Sequence, residues 1–138
     1  MYKTRNPSEG SMLVVDTYIG PSEINGIGLF AKKNISKGKI VWRFNPFLDL
    51  RYTEVENYSR LIRDYLKKHA YLDEDGDWYL CGDNARFMNH SKTPNLITKN
   101  GKDYAVRNIK KGEELTIDYY TFDLDAKRKL ENAKTIPL

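Results

Sequence analysis

Turn-forming residues divide the first half of this chain into short runs of β-branched and aromatic residues, and this division limits what the chain can form. Residues 13–19 (LVVDTYI) end at a Gly-Pro-Ser sequence, and residues 39–44 (KIVWRF) end at an Asn-Pro sequence. Glycine and proline rarely continue a strand, so each run predicts one short strand. Further short strands are predicted at 29–31 and 47–50.

Two glycine turns predict hairpins in the second half. Asp75-Gly76 and Asn100-Gly101 each lie between strand-like runs, and glycine supplies the positive φ that a tight hairpin turn requires. The first turn predicts that 71–72 pairs with 78–80, and the second that 96–99 pairs with 104–107. With a last strand expected at 114–119, the chain is predicted to be mostly β with short helices.

One segment has helical periodicity. Thr53 and Glu56 match a capping box, and apolar residues recur at helical spacing as far as His69, which predicts one helix at about 53–69. The apolar stripe, which we expect to pack in the core, consists of Val55, Tyr58, Leu61, Ile62, Tyr65 and Leu66. A weaker helical pattern lies at 124–133.

Composition and charge exclude several classes of protein. The 138 residues fit one domain, and the 23 basic and 19 acidic residues are mostly interspersed, which predicts a mixed solvated surface despite a net charge of +4. Weak contact with nucleic acid is compatible with this charge but not required. The single cysteine, Cys81, allows no disulfide framework or cysteine-based zinc cluster and fits a reducing compartment inside the cell. No apolar run is long enough to span a membrane, and residues 1–11 are predicted to be a flexible tail.

Three motifs carry the functional argument. Taken one at a time, they predict a turn before a strand, a side-chain-capped loop, and a turn followed by a strand. The first lacks the third glycine and the following helix of a dinucleotide-binding fingerprint. The second contains a histidine but no cysteine near it, so a metal site is not indicated. The motifs are Gly26-Ile27-Gly28-Leu29-Phe30, Arg86-Phe87-Met88-Asn89-His90-Ser91 with Pro94-Asn95 after it, and Gly112-Glu113-Glu114-Leu115-Thr116-Ile117-Asp118-Tyr119.

In this order and spacing, the three motifs closely resemble those of the SET-domain family of protein lysine methyltransferases. The resemblance extends over most of the chain and predicts a SET domain at 12–122, similar to minimal stand-alone members of bacterial or viral type. It implies a β-clip fold of small curved sheets with one inserted helix. It also implies a C-terminal segment threaded through a preceding loop as a pseudoknot, which would bring Asn89-His90 beside Asp118-Tyr119.

The resemblance also implies a reaction, in which S-adenosylmethionine donates a methyl group to the ε-amine of a lysine in a protein substrate. Lysine has a pKa of about 10.4, so the site must lower that pKa before the amine can attack. Tyr119 corresponds to the catalytic tyrosine that orients the amine. The positions implied to bind the cofactor are Ile27, Gly28, Tyr71, Arg86, Asn89, His90, Tyr119 and Phe122. The implied lysine channel contains Ile117, Tyr79 and Tyr120.

Some positions depart from the family pattern. Lys92 replaces a common cysteine, and no cysteine-rich segment follows the last motif, so no zinc is expected. Instead, the tail at 123–138, predicted to be partly helical, is expected to close the lysine channel. Ile117 lies where the family often has phenylalanine or tyrosine, which leaves the number of transferred methyl groups open.

Two alternative functions remain open at this point. One is a SET-like module that binds a peptide or nucleic acid without catalysis, and the other is methylation of a small molecule. A monomer and a homodimer are both compatible with the sequence. The expected location is the cytoplasm, or the nucleus if the substrate is chromatin.

Overall fold

The computed structural model describes residues 12–131, so the predicted tail at 1–11 and the end of the predicted C-terminal tail lie outside the described residues. Ten short strands and two α-helices make up the regular structure of this part. The strands are β1 (Thr17–Pro21), β2 (Ile27–Ala31), β3 (Ile40–Arg43), β4 (Leu50–Tyr52), β5 (Tyr71–Leu72), β6 (Trp78–Leu80), β7 (Asn89–His90), β8 (Leu96–Lys99), β9 (Lys102–Ala105) and β10 (Thr116–Ile117). The helices are α1 (Arg60–His69) and α2 (Ala126–Glu131), with 3-10 turns at Val55–Asn57, Asn84–Phe87 and Tyr119–Thr121.

The strands form four small sheets within the described residues, which confirms the predicted mostly-β class. Their strand orders are β1-β2, β3-β9-β8, β4-β6-β5 and β7-β10. Among residues 12–131, only β7 and β10 pair in parallel, with Thr116 opposite Asn89 and Ile117 opposite His90. The longest helix in the described residues is α1, which has ten residues. No helix in this part of the chain is therefore long enough to cross a membrane.

Both predicted hairpins are confirmed. β5 pairs with β6 at the predicted residues, and Gly76 has a φ of +81°. Asn100 and Gly101, with φ of 51° and 73°, join β8 to β9. This two-residue turn places Lys102 opposite Lys99, so β9 begins two residues before the predicted 104.

The strand predicted at 13–19 is wrong in its bounds. Leu13 instead forms a bridge with Trp42, and the Val14 amide donates to the Val41 carbonyl at 2.9 Å. β1 extends instead through Gly20 to Pro21. Proline has no backbone N–H to donate, and at the end of a strand this removes no hydrogen bond from the interior of the sheet.

The inserted helix ends at His69 as predicted, but its predicted start is wrong. The backbone of Glu54 is left-handed (φ 50°), which interrupts a helix begun at Thr53. α1 begins instead after Ser59, whose hydroxyl accepts a hydrogen bond from the Ile62 amide at 3.4 Å. The expectation that the whole apolar stripe is core is also wrong, because Leu61 is 75% exposed and Ile62 and Tyr65 are exposed too. Only the far end of α1 packs inward, through Leu66.

The core lies between β2, β3, β8, β9 and β10. Its fully buried side chains include Leu29, Val41, Leu96, Ile109 and Leu115. A second apolar cluster around Val55, Leu66, Ala70 and Trp78 attaches α1 to the β4-β6-β5 sheet.

Asn95 attaches β10 to the chain on the side opposite β7. Its Oδ1 accepts from the Thr116 amide at 2.8 Å, its Nδ2 donates to the Glu114 carbonyl at 2.8 Å, and its own amide donates to the Thr116 hydroxyl at 3.2 Å. β10 is shorter than the predicted 114–119, because the chain turns into a 3-10 helix at Tyr119. This arrangement confirms the predicted meeting of the Asn89-His90 segment with the Asp118-Tyr119 segment.

We predict that Asn95→Ala lowers the free energy of unfolding by about 2–4 kcal/mol, because it leaves the Thr116 amide and the Glu114 carbonyl unpaired. The matched control is Asn108→Ala, which removes one exposed hydrogen bond to the Lys37 amide and should cost less than about 1 kcal/mol. Urea unfolding measures both variants. Equal losses in the two would mean that Asn95 does not hold β10 in place.

Candidate functional site

Tyr119 follows β10 directly and is held at both ends. Its backbone amide donates to His90 Nδ1 at 3.1 Å, and its hydroxyl donates to the Met88 carbonyl oxygen. Burial raises the pKa of Tyr119 to about 12, so the phenol keeps its proton near neutral pH. Because that proton is directed to Met88, the hydroxyl oxygen can still accept a hydrogen bond from an incoming amine.

A cavity of about 240 Å³ lies beside this tyrosine. Five residues singled out by the sequence line it: Tyr71, Arg86, Ile117, Tyr119 and Phe122. They come from β5, a 3-10 turn, β10 and the segment after β10, so residues far apart in the chain meet at this cavity.

Aromatic rings form one wall of the cavity. The Phe122 ring packs edge-on against Tyr119, with centroids 5.9 Å apart, and edge-on against Tyr71 at 5.5 Å. Tyr71 stacks in turn on Tyr79 at 5.5 Å, although Tyr79 does not line the cavity. Burial raises the pKa of Tyr71, so this wall stays uncharged at neutral pH.

Asn89 and Gly28, two other predicted site residues, lie outside the cavity lining. The buried Asn89 side chain donates hydrogen bonds to the Asn25 carbonyl at 3.0 Å and to Glu114 Oε2 at 2.9 Å. These bonds connect the glycine turn to the segment before β10. A Cβ on Gly28 would lie 2.6 Å from the same Glu114 oxygen, so a larger residue would displace that carboxylate. The neighbouring Ile27 is exposed.

His90 and Tyr120 lie close to Tyr119 in space but are also outside the cavity lining. His90 Nδ1 accepts a hydrogen bond from the Tyr119 amide at 3.1 Å, and Asp118 Oδ1 lies 3.6 Å from the same nitrogen. The Tyr120 ring is 5.8 Å from the His90 ring and 53% exposed. The structure therefore brings His90 to the backbone of Tyr119, not to the cavity.

Sequence reasoning missed several residues that line the cavity. Trp42 and Phe44 come from β3 and the residue after it, and Asp103 comes from β9. Lys129 of α2 also lines the cavity. The sequence contained one signal. Asp103 and Ala105 lie two residues apart on the same, inward face of β9, where a charged residue is unusual.

Asp103 has an unusual electrostatic environment. It is 6% exposed, and Thr98 donates its hydroxyl proton to Asp103 Oδ1 at 2.7 Å. No ion pair among residues 12–131 includes it. Burial raises the pKa of Asp103 to about 6, because the charged form is poorly solvated.

We predict that Asp103→Asn stabilises the protein at pH 7 but not near pH 4. The folded-state pKa lies above the ordinary 3.8, so raising the pH through this window favours the unfolded chain, in which the acid ionises freely. The asparagine carries no charge, and the gain at pH 7 should reach up to about 3 kcal/mol. Thermal unfolding at both pH values measures it, with exposed Asp64→Asn as control. A variant destabilised equally at both pH values would refute this account of Asp103.

The fold and site together define a small β domain in which a partly buried tyrosine, directly after a parallel strand near the end of the chain, lines a cavity. Residues 26–120 match the SET domain family, and the chain belongs to this family.

Curated relatives carry the same domain within longer proteins. The chain is 32% identical to the H3 lysine-4 specific histone-lysine N-methyltransferase of Schizosaccharomyces pombe, over 85% of this chain and 15% of that protein. It is also 32% identical to the histone-lysine N-methyltransferase trr of Drosophila melanogaster, over 80% of this chain and 5% of that protein. Because these relatives are long eukaryotic proteins, the similarity to bacterial or viral stand-alone members stays a prediction.

Solved structures agree on the fold. The Polycomb Repressive Complex 2 of Chaetomium thermophilum in an autoinhibited state matches with a TM-score of 0.63 and 25% identity, over 88% of this chain and 17% of that one. The same complex bound to S-adenosylmethionine matches with a TM-score of 0.63 and 23% identity, over 91% of this chain and 17% of that one.

Proposed function

We propose that this chain transfers a methyl group from S-adenosylmethionine to the ε-amine of a lysine in a protein substrate. The observation that carries the proposal is the Tyr119 hydroxyl, bonded to the Met88 carbonyl at the edge of a largely apolar cavity. The names of the curated relatives, all histone-lysine N-methyltransferases, support the same reaction.

The cavity lining suits the proposed cofactor chemically. Arg86 enters no ion pair within residues 12–131, and its guanidinium group suits the carboxylate of the cofactor. Tyr71 and Phe122 offer aromatic surface for the adenine. When bound, S-adenosylmethionine supplies an electrophilic methyl group on a positively charged sulfur.

Ile27, Gly28, Asn89 and His90 remain predicted cofactor residues. Their contacts support direct binding for two of them and an indirect role for the other two. Ile27 is exposed and His90 is partly exposed, so both could contact the cofactor directly, whereas Asn89 and Gly28 would act indirectly by fixing the glycine turn.

Tyr119 would act by orientation and electrostatics. Its hydroxyl oxygen accepts a hydrogen bond from the lysine amine and thereby aims the nitrogen lone pair at the methyl group. The buried side chains of Met88 and Ile117 keep water away and disfavour the charged ammonium form of the lysine.

We predict that Tyr119→Phe lowers kcat/KM for methylation of histone H3 by at least about 100-fold, because the orienting hydroxyl is lost while the ring contact with Phe122 remains. Transfer from labelled cofactor measures the rate, and calorimetry should find cofactor affinity changed by less than about tenfold, since ring packing persists. The control Tyr18→Phe alters an exposed tyrosine of β1 and should leave the rate unchanged.

Three outcomes would contradict the proposal. Full activity in Tyr119→Phe would remove the tyrosine from the mechanism. If the wild-type chain does not bind the cofactor, the non-catalytic binding module is favoured. Transfer to free amines but not to proteins would favour methylation of a small molecule.

We also propose that the segment after Tyr119 closes the cavity without zinc. Asp123 Oδ1 accepts from the Leu72 amide at 3.0 Å, and its Oδ2 pairs with Lys129 Nζ at 2.5 Å. The Lys129 ammonium also donates to the Ala70 carbonyl. Arg128 donates to the Lys67 carbonyl at 2.6 Å, so two cations of α2 bind carbonyl groups at the C-terminal end of α1.

We predict that Lys129→Met weakens this closure, because it leaves the Asp123 side chain, 3% exposed, as an unpaired buried charge. Cleavage of the C-terminal segment by trypsin should become at least about tenfold faster, as expected when 1.4 kcal/mol or more of local stability is lost. Lys127→Met, on the exposed face of α2, removes the same charge and serves as control.

The metal part of this proposal has its own test. Incubation with EDTA or 1,10-phenanthroline should leave methyl transfer and the cleavage rate unchanged. Loss of activity that zinc restores would show that a metal, rather than the Asp123–Lys129 pair, holds the segment.

The finer biological assignments rest on the relatives alone. Histone H3 is the first substrate to try, because one relative is named for lysine 4 of H3. An intracellular location, in the nucleus for a chromatin substrate, fits the same relatives. A monomer and a homodimer both remain compatible with the proposal.

A further inference from the structure

Three side chains lie in a row across the β3-β9-β8 sheet and face the same cavity as Tyr119. Asp103 of β9 is opposite Thr98 of β8 on one side and opposite Trp42 of β3 on the other. All three line the cavity, and so does Phe44, two residues after Trp42. We call Thr98, Asp103, Trp42 and Phe44 the sheet subsite.

The sheet subsite contains a negative charge without a positive partner. Near neutral pH, a carboxyl group with a pKa of about 6 is mostly ionised, although its burial makes that form costly. Thr98 satisfies only one of its oxygens. Lys68, Arg86 and Lys129 also line the cavity, but none of them forms an ion pair with Asp103 among residues 12–131. Lys129 is bound to Asp123, and Arg86 lies over the Phe87 ring, 4.9 Å from its centroid.

The aromatic members of the subsite fit a cationic ligand as well. Indole and phenyl faces attract ammonium and guanidinium groups, and the attraction grows when water is excluded. A carboxylate beside two aromatic side chains therefore favours a basic side chain over a neutral or acidic one.

We propose that the sheet subsite binds a basic side chain of the protein substrate, through an ion pair with Asp103 and contact with the rings of Trp42 and Phe44. This assignment deepens the proposed function, on which it rests, by adding a specificity determinant distinct from Tyr119. The bound cation is either the ammonium of the target lysine before it loses its proton or a basic residue next to it in the substrate.

The kinetic test compares Asp103→Asn with the exposed control Asp64→Asn, using histone H3 and labelled cofactor. The variant should raise KM for histone H3 at least about tenfold while kcat changes less than threefold and cofactor affinity is unchanged. Unchanged KM in an active enzyme would overturn the inference and leave the proposed function intact. Weaker cofactor binding would overturn it too, because Asp103 would then serve the cofactor.

A second measurement does not depend on catalysis. NMR of the protein labelled with ¹³C in its aspartate carboxyl groups follows the titration of Asp103 as n-butylammonium, the end of a lysine side chain, is added. Ion pairing should lower the pKa of Asp103, whereas the neutral n-butanol should not. If n-butylammonium shifts the resonances of other cavity residues but leaves this pKa unchanged, the inference is wrong, whatever the outcome of the methylation assay.

The two sources of the cation are distinguished with H3 peptides. If the target lysine is bound, Asp103→Asn should raise KM equally for peptides with and without basic neighbours. If a neighbour is bound, replacing that neighbour with alanine should abolish the difference between the variant and the wild type.

Discussion

The parallel pairing of β7 with β10 is the interaction on which the site depends. Each strand has only two residues, and such a pair is too short to be stable by itself. Side chains supply the missing stability: Asn95 binds β10 from one side, and Asn89 ties the glycine turn to Glu114. These amides keep Tyr119 between the His90 ring and the Met88 carbonyl, in a position that local structure alone would not fix.

The cavity next to this pair contains one group that works against stability. Burial raises the pKa of Asp103 to about 6, and no ion pair among the described residues offsets the burial of its charge. Proteins retain unfavourable groups of this kind most often where they bind or react, so Asp103 is better explained by function than by folding. α2 serves the opposite purpose, since its cations stabilise the cavity wall by binding the end of α1.

The sequence predicted what local chemistry determines. Asp75-Gly76 and Asn100-Gly101 identified both hairpins, because the positive φ angles at Gly76, Asn100 and Gly101 favour glycine and asparagine. The three motifs led through the family resemblance to Tyr119 and to four other residues of the cavity lining. The start of α1 was missed because the left-handed Glu54 cannot be inferred from a capping pattern. Trp42 and Asp103 were missed because their role depends on a sheet that forms between distant segments. The exposure of Leu61 likewise depends on which end of α1 packs against Trp78.

The central claim is that methyl transfer takes place in the cavity beside the Tyr119 hydroxyl. NMR with S-adenosylmethionine carrying a ¹³C label on its sulfur-bound methyl group tests this claim directly. The account predicts nuclear Overhauser effects from that methyl group to the Tyr119 ring and to the side chain of a residue lining the cavity, such as Ile117. If the cofactor binds but its methyl group is close only to residues outside the cavity, the claim is wrong.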